Sequence, residues 1–165
     1  QAKRSGLSKI RDCLGMSFWF DVNGQSEEKW CPQEGHKVLE LLKKLKQKDI
    51  SPDLYIITPF AVVQDNMRRL IRENGILQGW VEDPYRWTTE RVGTVHTVQG
   101  REAEAVIFVL GAPSTTQNGA RSWAGNRPNL LNVALTRAKE VIYVVGNRQL
   151  WQNAGLFTEL AARVN

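Results

Sequence analysis

Three short, unbroken apolar runs set the terms of the fold. Leu54-Tyr55-Ile56-Ile57-Thr58, Ala105 to Leu110 and Val141 to Val145 carry no charged residue. Side chains of a strand alternate between two faces, so a run that is apolar at every position must be covered on both. That is the situation of a strand inside a parallel sheet with helices above and below.

The segments between these runs have helical periodicity. From Glu34 to Lys48, Val38, Leu41, Leu42 and Leu45 fall at the i, i+3, i+4, i+7 spacing of one buried face. Lys43, Lys44, Lys46 and Lys48 then form a solvated side that favours the helix C-terminus, with phosphate contact as the competing role. Pro52 breaks the chain, and a second helix is predicted over Ala61 to Glu73, ended by Gly75. Ser17 to Val22 reads as a first strand closed by Asn23-Gly24, and Val92 to Val95 as a short one. Helices are predicted over Pro128 to Ala138 and Arg148 to Arg163. Gln78 to Arg91, with Trp80, Pro84, Tyr85 and Trp87, reads as a long connection anchored by aromatics. Strands alternating with helices predict an α/β protein, a three-layer α/β/α sandwich with a mainly parallel sheet.

The length of 165 residues suits one compact domain. The basic, poorly periodic stretch 1–15 reads as a linker or crossover from an upstream domain, and 16–165 as the domain itself. A chain starting at Gln1 reads as a piece of something longer. The net charge of +5 is compatible with a polyanionic partner without requiring one. Cys13 and Cys31 lack metal-ligand spacing, so no metal site is expected, and two free thiols point to a reducing, cytoplasmic setting. In a bacterium that would include the nucleoid. No apolar run approaches the roughly 20 residues that cross a bilayer, so no membrane partner is expected.

Ligands of doubly wound sheets gather at the carboxyl ends of strands. Two segments place unusual polar sets at what read as such ends. One is Val92-Gly93-Thr94-Val95-His96-Thr97-Val98-Gln99-Gly100-Arg101-Glu102, where Gly100 allows a sharp turn or a close backbone approach to a ligand. The other is Asn129 to Lys139, an apolar helix carrying Arg137 near its C-terminal end. An arginine on a rigid element presents a fixed, always-charged fork to a phosphate, although a surface carboxylate could equally be its partner.

Thr94 to Glu102 resembles motif V of superfamily 1 helicases, and Leu131-Asn132-Val133-Ala134-Leu135-Thr136-Arg137-Ala138-Lys139 resembles their motif VI. Ile57-Thr58-Pro59-Phe60 is similar to the strand end that opens motif IV. The three occur in the family's order, within a resemblance covering Phe18 to Trp151, and the nearest subgroup is the Upf-like and RecD-like branch. The resemblance implies the C-terminal, RecA-like motor domain of a helicase, a P-loop NTPase-type fold without its own P-loop. Arg137 then matches the arginine finger that reaches the ATP γ-phosphate. Glu102 matches the motif V carboxylate on the nucleotide, with Gly100 and Gln99 in the same loop and Gln99 placed to couple nucleotide and strand. Thr94 and His96 match positions facing the nucleic acid, with loop capping as the competing role for these two and for Gln99.

Pro59 and Phe60 match the motif IV corner that packs near nucleotide or nucleic acid. Where relatives place a basic residue just beyond it, this chain has Ala61-Val62-Val63-Gln64, so a second finger would have to come from Arg68 or Arg69, which otherwise read as a solvated face. The loop Gly119 to Ala124 offers Trp123 for base stacking or for pinning the loop, and Arg121 for a phosphate.

No Gly-x-x-x-x-Gly-Lys-Ser/Thr loop occurs in the 165 residues. The resemblance therefore implies that ATP and Mg²⁺ are held mainly by an upstream RecA-like domain of the same polypeptide, and that this domain alone does not hydrolyse ATP. Single-stranded DNA or RNA is the implied partner, with DNA preferred and 5′ to 3′ movement suggested by the subgroup. The competing readings are a degenerate RecA-like module that binds nucleic acid or protein without turnover, and an unrelated doubly wound nucleotide binder. The second would need a Gly-rich loop after the first strand, where only Gly24 occurs.

Overall fold

The structure, a computed structural model, describes residues 8–98 and 102–164. Among these, five parallel strands form one sheet: β1 (Phe18–Asp21), β2 (Leu54–Ile57), β3 (Val92–Gly93), β4 (Ala103–Val109) and β5 (Ala138–Gly146). Their spatial order is β1-β5-β4-β2-β3. The α/β class expected from the apolar runs, and the RecA-like architecture implied by the resemblance, are what the chain adopts. Leu54, Ile56, Ile57 and Val106 to Leu110 are all fully buried. Because neighbours point to opposite faces, this burial requires a layer on each side.

Helices α1 (Lys9–Leu14), α2 (Pro32–Gln47), α3 (Ala61–Asn74) and α4 (Pro84–Arg91) precede β4. A 3₁₀ turn, Thr115–Gln117, leads into α5 (Asn118–Gly125) and α6 (Pro128–Arg137), and α7 (Arg148–Trp151) and α8 (Phe157–Arg163) follow β5. The crossover through α2 runs from β1 toward β2, and that through α6 runs back from β4 to β5. Right-handed crossovers taken in opposite directions lie on opposite faces, which completes the sandwich. Val38, Leu41, Leu42 and Leu45 are the buried stripe of α2, as their spacing predicts, each worth about 1.5–3 kcal/mol of burial.

The stretch 1–15, read as a linker or crossover, is described from Ser8 on, and three local expectations elsewhere are revised. The stretch read as linker contains α1, whose Ile10 is fully buried and whose N-terminus is held by Glu104: Oε2 accepts from Ser8 Oγ at 2.8 Å and from Ile10 N at 2.9 Å. The connection 78–91 contains α4, begun by Asp83, which accepts from Arg86 N at 3.1 Å, and by Pro84 in the first turn. The loop around Trp123 is helical, as α5. The helix predicted over 148–163 is broken at Gly155, whose φ is +52° and whose missing Cβ leaves room for the carbonyl of Gly125. Leu156 N donates to that carbonyl at 2.9 Å, so a close backbone crossing overrides helical periodicity there.

Candidate nucleotide and nucleic-acid site

The carboxyl ends of β2 and β3 lie side by side, because Ile57 pairs with Gly93 and Thr58 N donates to Gly93 O at 3.0 Å. Beyond them the chain makes two corners. The first is Thr58-Pro59-Phe60, where Phe60 is extended as the residue before α3 and is buried. Its ring stacks on Trp123 at 6.2 Å between centroids, 28° between planes, and leans on Trp151 at 6.3 Å. The second corner is the turn Thr94–Val98, closed by Thr97 N and Val98 N donating to Thr94 O. Gln64, buried on α3, holds this turn in place. Its Oε1 accepts from Thr94 N at 3.1 Å and from Thr97 Oγ1 at 2.9 Å. The Thr94 hydroxyl accepts from His96 N at 3.4 Å, so Thr94 caps its own turn while also lining a groove.

That groove, about 500 Å³, is lined by Pro59, Thr94, His96, Trp123, Arg127 and Asn129, among others. A neighbouring one of about 470 Å³ has Lys29, Phe60 and Ala120 on its walls, with Pro59, Ala61 and Trp123 shared. Trp123 is 45% exposed. Five of the residues read as facing nucleic acid, Pro59, Phe60, Thr94, His96 and Trp123, thus converge on one surface.

Arg121, the sixth, turns inward instead. It is 3% exposed, and its Nη1 donates to Ala112 O at 2.9 Å and Ser114 O at 2.6 Å. Burial pulls its pKa below the ordinary guanidinium value. Through these bonds it folds back the chain leaving β4, and its Nε, like that of Arg137, is buried without a hydrogen-bond partner among the described residues. Arg68 is engaged in a similar way, with Nε on Val92 O at 2.8 Å and Nη2 on Thr89 O at 3.0 Å, so it clasps α4 and β3 to α3.

Glu102 and Arg137 lie at the opposite edge of the sheet. Helix α6 runs against the strand direction, so its last residue, Arg137, arrives at the amino end of β5 rather than at a carboxyl end, as its sequence context suggested. Ala103 pairs with Ala138, so Glu102 and Arg137, the residues before each, lead into neighbouring strands at the same end of the sheet although they are far apart in sequence. Arg137 Nε is buried and has no hydrogen-bond partner among the described residues. Glu102 is exposed on a cleft of about 830 Å³ that also takes in Asp53, Arg86, Glu90, Arg91 and Thr97. Two ion pairs brace it, Arg91–Asp53 at 3.3 Å and Arg86–Glu90 at 2.9 Å. Gln99 and Gly100, read as nucleotide-contacting, lie outside the described residues.

Gln64 and Arg127 were not singled out from sequence as functional, and neither was Lys29. Gln64 follows the Pro59-Phe60 corner as a lone glutamine in a helix, and nothing local in the sequence marks it as the acceptor for a distant turn. Lys29 and Arg127 are isolated basic residues in loops, which spacing cannot assign.

The chain resembles known proteins over most of its length. The AAA domain family matches residues 9–149. An uncharacterized ATP-dependent helicase of Methanocaldococcus jannaschii is 32% identical over 128 residues, covering 78% of this chain and 16% of that protein. The DNA polymerase alpha-associated DNA helicase A of Schizosaccharomyces pombe is 32% identical over 95 residues, covering 58% of this chain and 12% of its own length. The chain therefore spans a small part of each of these relatives. Among the described residues, no helix is long and apolar enough to cross a membrane.

Proposed function

The chain belongs to the AAA domain family, as a helicase-type domain, and we propose that it is the C-terminal motor domain of a superfamily 1 helicase of the Upf-like and RecD-like branch. In this reading it completes an ATP site whose phosphate loop and Mg²⁺ ligands sit on an upstream RecA-like domain, and it grips single-stranded nucleic acid at its other edge. The observation that carries the reading is the pairing of Ala103 with Ala138, which brings Glu102 and Arg137 to the same end of neighbouring strands, with Arg137 Nε buried and without a hydrogen-bond partner among the described residues. A buried guanidinium nitrogen left unsatisfied is costly unless an acceptor arrives, and phosphate oxygens match its geometry.

The chemistry supplied elsewhere is attack of water on the γ-phosphorus. Arg137 neutralises charge that gathers on the transferring phosphoryl oxygens, an interaction stronger in the transition state than in the ground state. Glu102, acceptor-only when ionised, suits hydroxyls of a nucleotide ribose rather than its phosphates. At the carboxyl edge, Thr94 and His96 donate to the strand backbone while Pro59, Phe60 and Trp123 offer surfaces to bases.

The test is strand-stimulated ATP turnover by the polypeptide that carries this domain together with its upstream partner, with single-stranded DNA and RNA supplied separately. Arg137→Ala should lower kcat by about 10³-fold or more while leaving binding of a non-hydrolysable ATP analogue within a few-fold. Normal turnover by the variant would remove Arg137 from the mechanism. Strand binding by the wild type without turnover would support a module that binds without hydrolysis.

A further inference from the structure

The two grooves at the carboxyl edge meet at a single ridge. Pro59, Ala61 and Trp123 line both, and of these Trp123 is the large, half-exposed one. Around it runs a ladder of cations and rings. Lys29 Nζ stands 5.1 Å from the Phe60 centroid, Phe60 stacks on Trp123, and the Arg127 guanidinium lies 4.5 Å from the Trp123 ring. Neither Lys29 nor Arg127 forms an ion pair with a carboxylate among the described residues. No Asp or Glu lines either groove, whereas the 830 Å³ cleft below carries Asp53, Glu90 and Glu102.

Resting on the strand-gripping half of the function proposed above, we infer that Trp123 divides two base subsites, and that Lys29 and Arg127 are the phosphate contacts flanking them. A single strand crosses the ridge with neighbouring bases on either side of the indole. The two cations exchange their ring contacts for backbone phosphates. Aromatic faces accept any base, and cations a few ångströms away track the backbone, so the recognition is independent of sequence. The charge distribution also decides which surface the strand uses. In the lower cleft Asp53 and Glu90 neutralise Arg91 and Arg86, and Glu102 adds a negative charge. The two grooves carry Lys29 and Arg127 with no lining carboxylate, and so attract a polyanionic strand more strongly.

Two probes test this on the full polypeptide: oligothymidylate and oligouridylate of about 15 nucleotides, within the length that single-strand sites occupy, each carrying one 2-aminopurine. The wild type should bind at least one and quench the 2-aminopurine by stacking. Trp123→Ala should weaken binding by about 5- to 100-fold and abolish the quench, while Trp123→Phe should retain most of both. Lys29→Ala and Arg127→Ala should each reduce the slope of log affinity against log salt by about 0.7, one single-strand phosphate apiece. Wild-type binding with Trp123→Ala unchanged in affinity and quench would overturn the divider and leave the helicase reading standing. Unchanged salt slopes would overturn the phosphate contacts. If the wild type bound neither oligomer, the strand-gripping role and this inference would fall together.

Discussion

At the scale of single residues, one side chain sits in the core against its chemistry. Glu34, in the first turn of α2, is fully buried. Its Oε1 accepts from Gly111 N at 2.8 Å, and its Oε2 has no partner among the described residues. Burial pushes its pKa from 4.5 up to about 8. The neighbouring titratable group, the Cys31 thiol, is pushed to about 11, by burial first and then by the Glu34 carboxylate, so it stays protonated at neutral pH. The direction of the linkage follows. Below pH 4.5 both folded and unfolded states hold the Glu34 proton. Between 4.5 and 8 only the folded state does, so its contribution to stability is lost progressively as pH rises through that window. Glu34→Gln removes the titration while keeping an acceptor for Gly111. The loss of stability that the wild type shows between pH 5 and 8, on the order of 3–4 kcal/mol at about 1.4 kcal/mol per pH unit, should be absent from the variant. Denaturant titrations at both ends of the window check this, and equal slopes for wild type and variant would show that Glu34 ionises normally. The sequence did not disclose this residue, because a glutamate in the first turn of a helix is also what the dipole favours on a wet surface. Arg137 and Thr94 were singled out because their neighbours form motif strings, whereas Arg121 looked equally eligible and only the carbonyls of Ala112 and Ser114 reveal that it faces inward.

At the scale of elements, the central strands were readable because every position in them is apolar. Their short edge partners and the helices α4 and α5 were less so. For α4 the signal was present in Asp83-Pro84, an N-cap followed by a first-turn proline, but the aromatics nearby read more easily as a loop. For α5 no comparable signal stood out, and the Gly125–Gly155 crossing that breaks the last helix is a tertiary event with no local trace. The most consequential link between elements is the one from α3 to the turn after β3, made through Gln64. Gln64→Leu shortens the side chain by one atom and deletes the acceptor, leaving Thr94 N and the Thr97 hydroxyl without it. Stability should fall by about 1–3 kcal/mol. Amide exchange should accelerate at Thr94, Thr97 and Val98 while that of the β4 and β5 amides changes only by the global loss. Hydrogen exchange resolved to peptides separates these outcomes. Uniform acceleration throughout would mean that Gln64 contributes packing alone and does not fix the turn.

At the scale of the whole molecule, the residues assigned to strand and to nucleotide occupy opposite edges of one sheet. The seven residues of β4 separate those edges by on the order of 20 Å at strand rise. The chain that starts at Thr94 and ends at Glu102 joins them, and the 830 Å³ cleft touches both His96 and Glu102. In the proposed reading Pro59 and Trp123 therefore stand about a strand's length from Arg137, while His96 and Glu102 share one cleft. Any influence of nucleotide on strand passes through that cleft and its joining segment or through the position of this domain against its upstream partner. Two consequences follow for the proposed helicase. Coupling is reciprocal, so the factor by which a non-hydrolysable ATP analogue changes oligonucleotide affinity equals the factor by which the oligonucleotide changes analogue affinity. The edges are also separable by mutation. Arg137→Ala should leave nucleotide-free oligonucleotide affinity within about twofold while shrinking the change produced by the analogue, since surface changes this far apart act nearly independently. Titrations of a labelled oligonucleotide with and without analogue, for wild type and Arg137→Ala, measure both quantities. A loss of nucleotide-free strand affinity as large as that expected for Trp123→Ala would place Arg137 on the strand instead of the nucleotide, and the division of labour between the two edges would have to be abandoned.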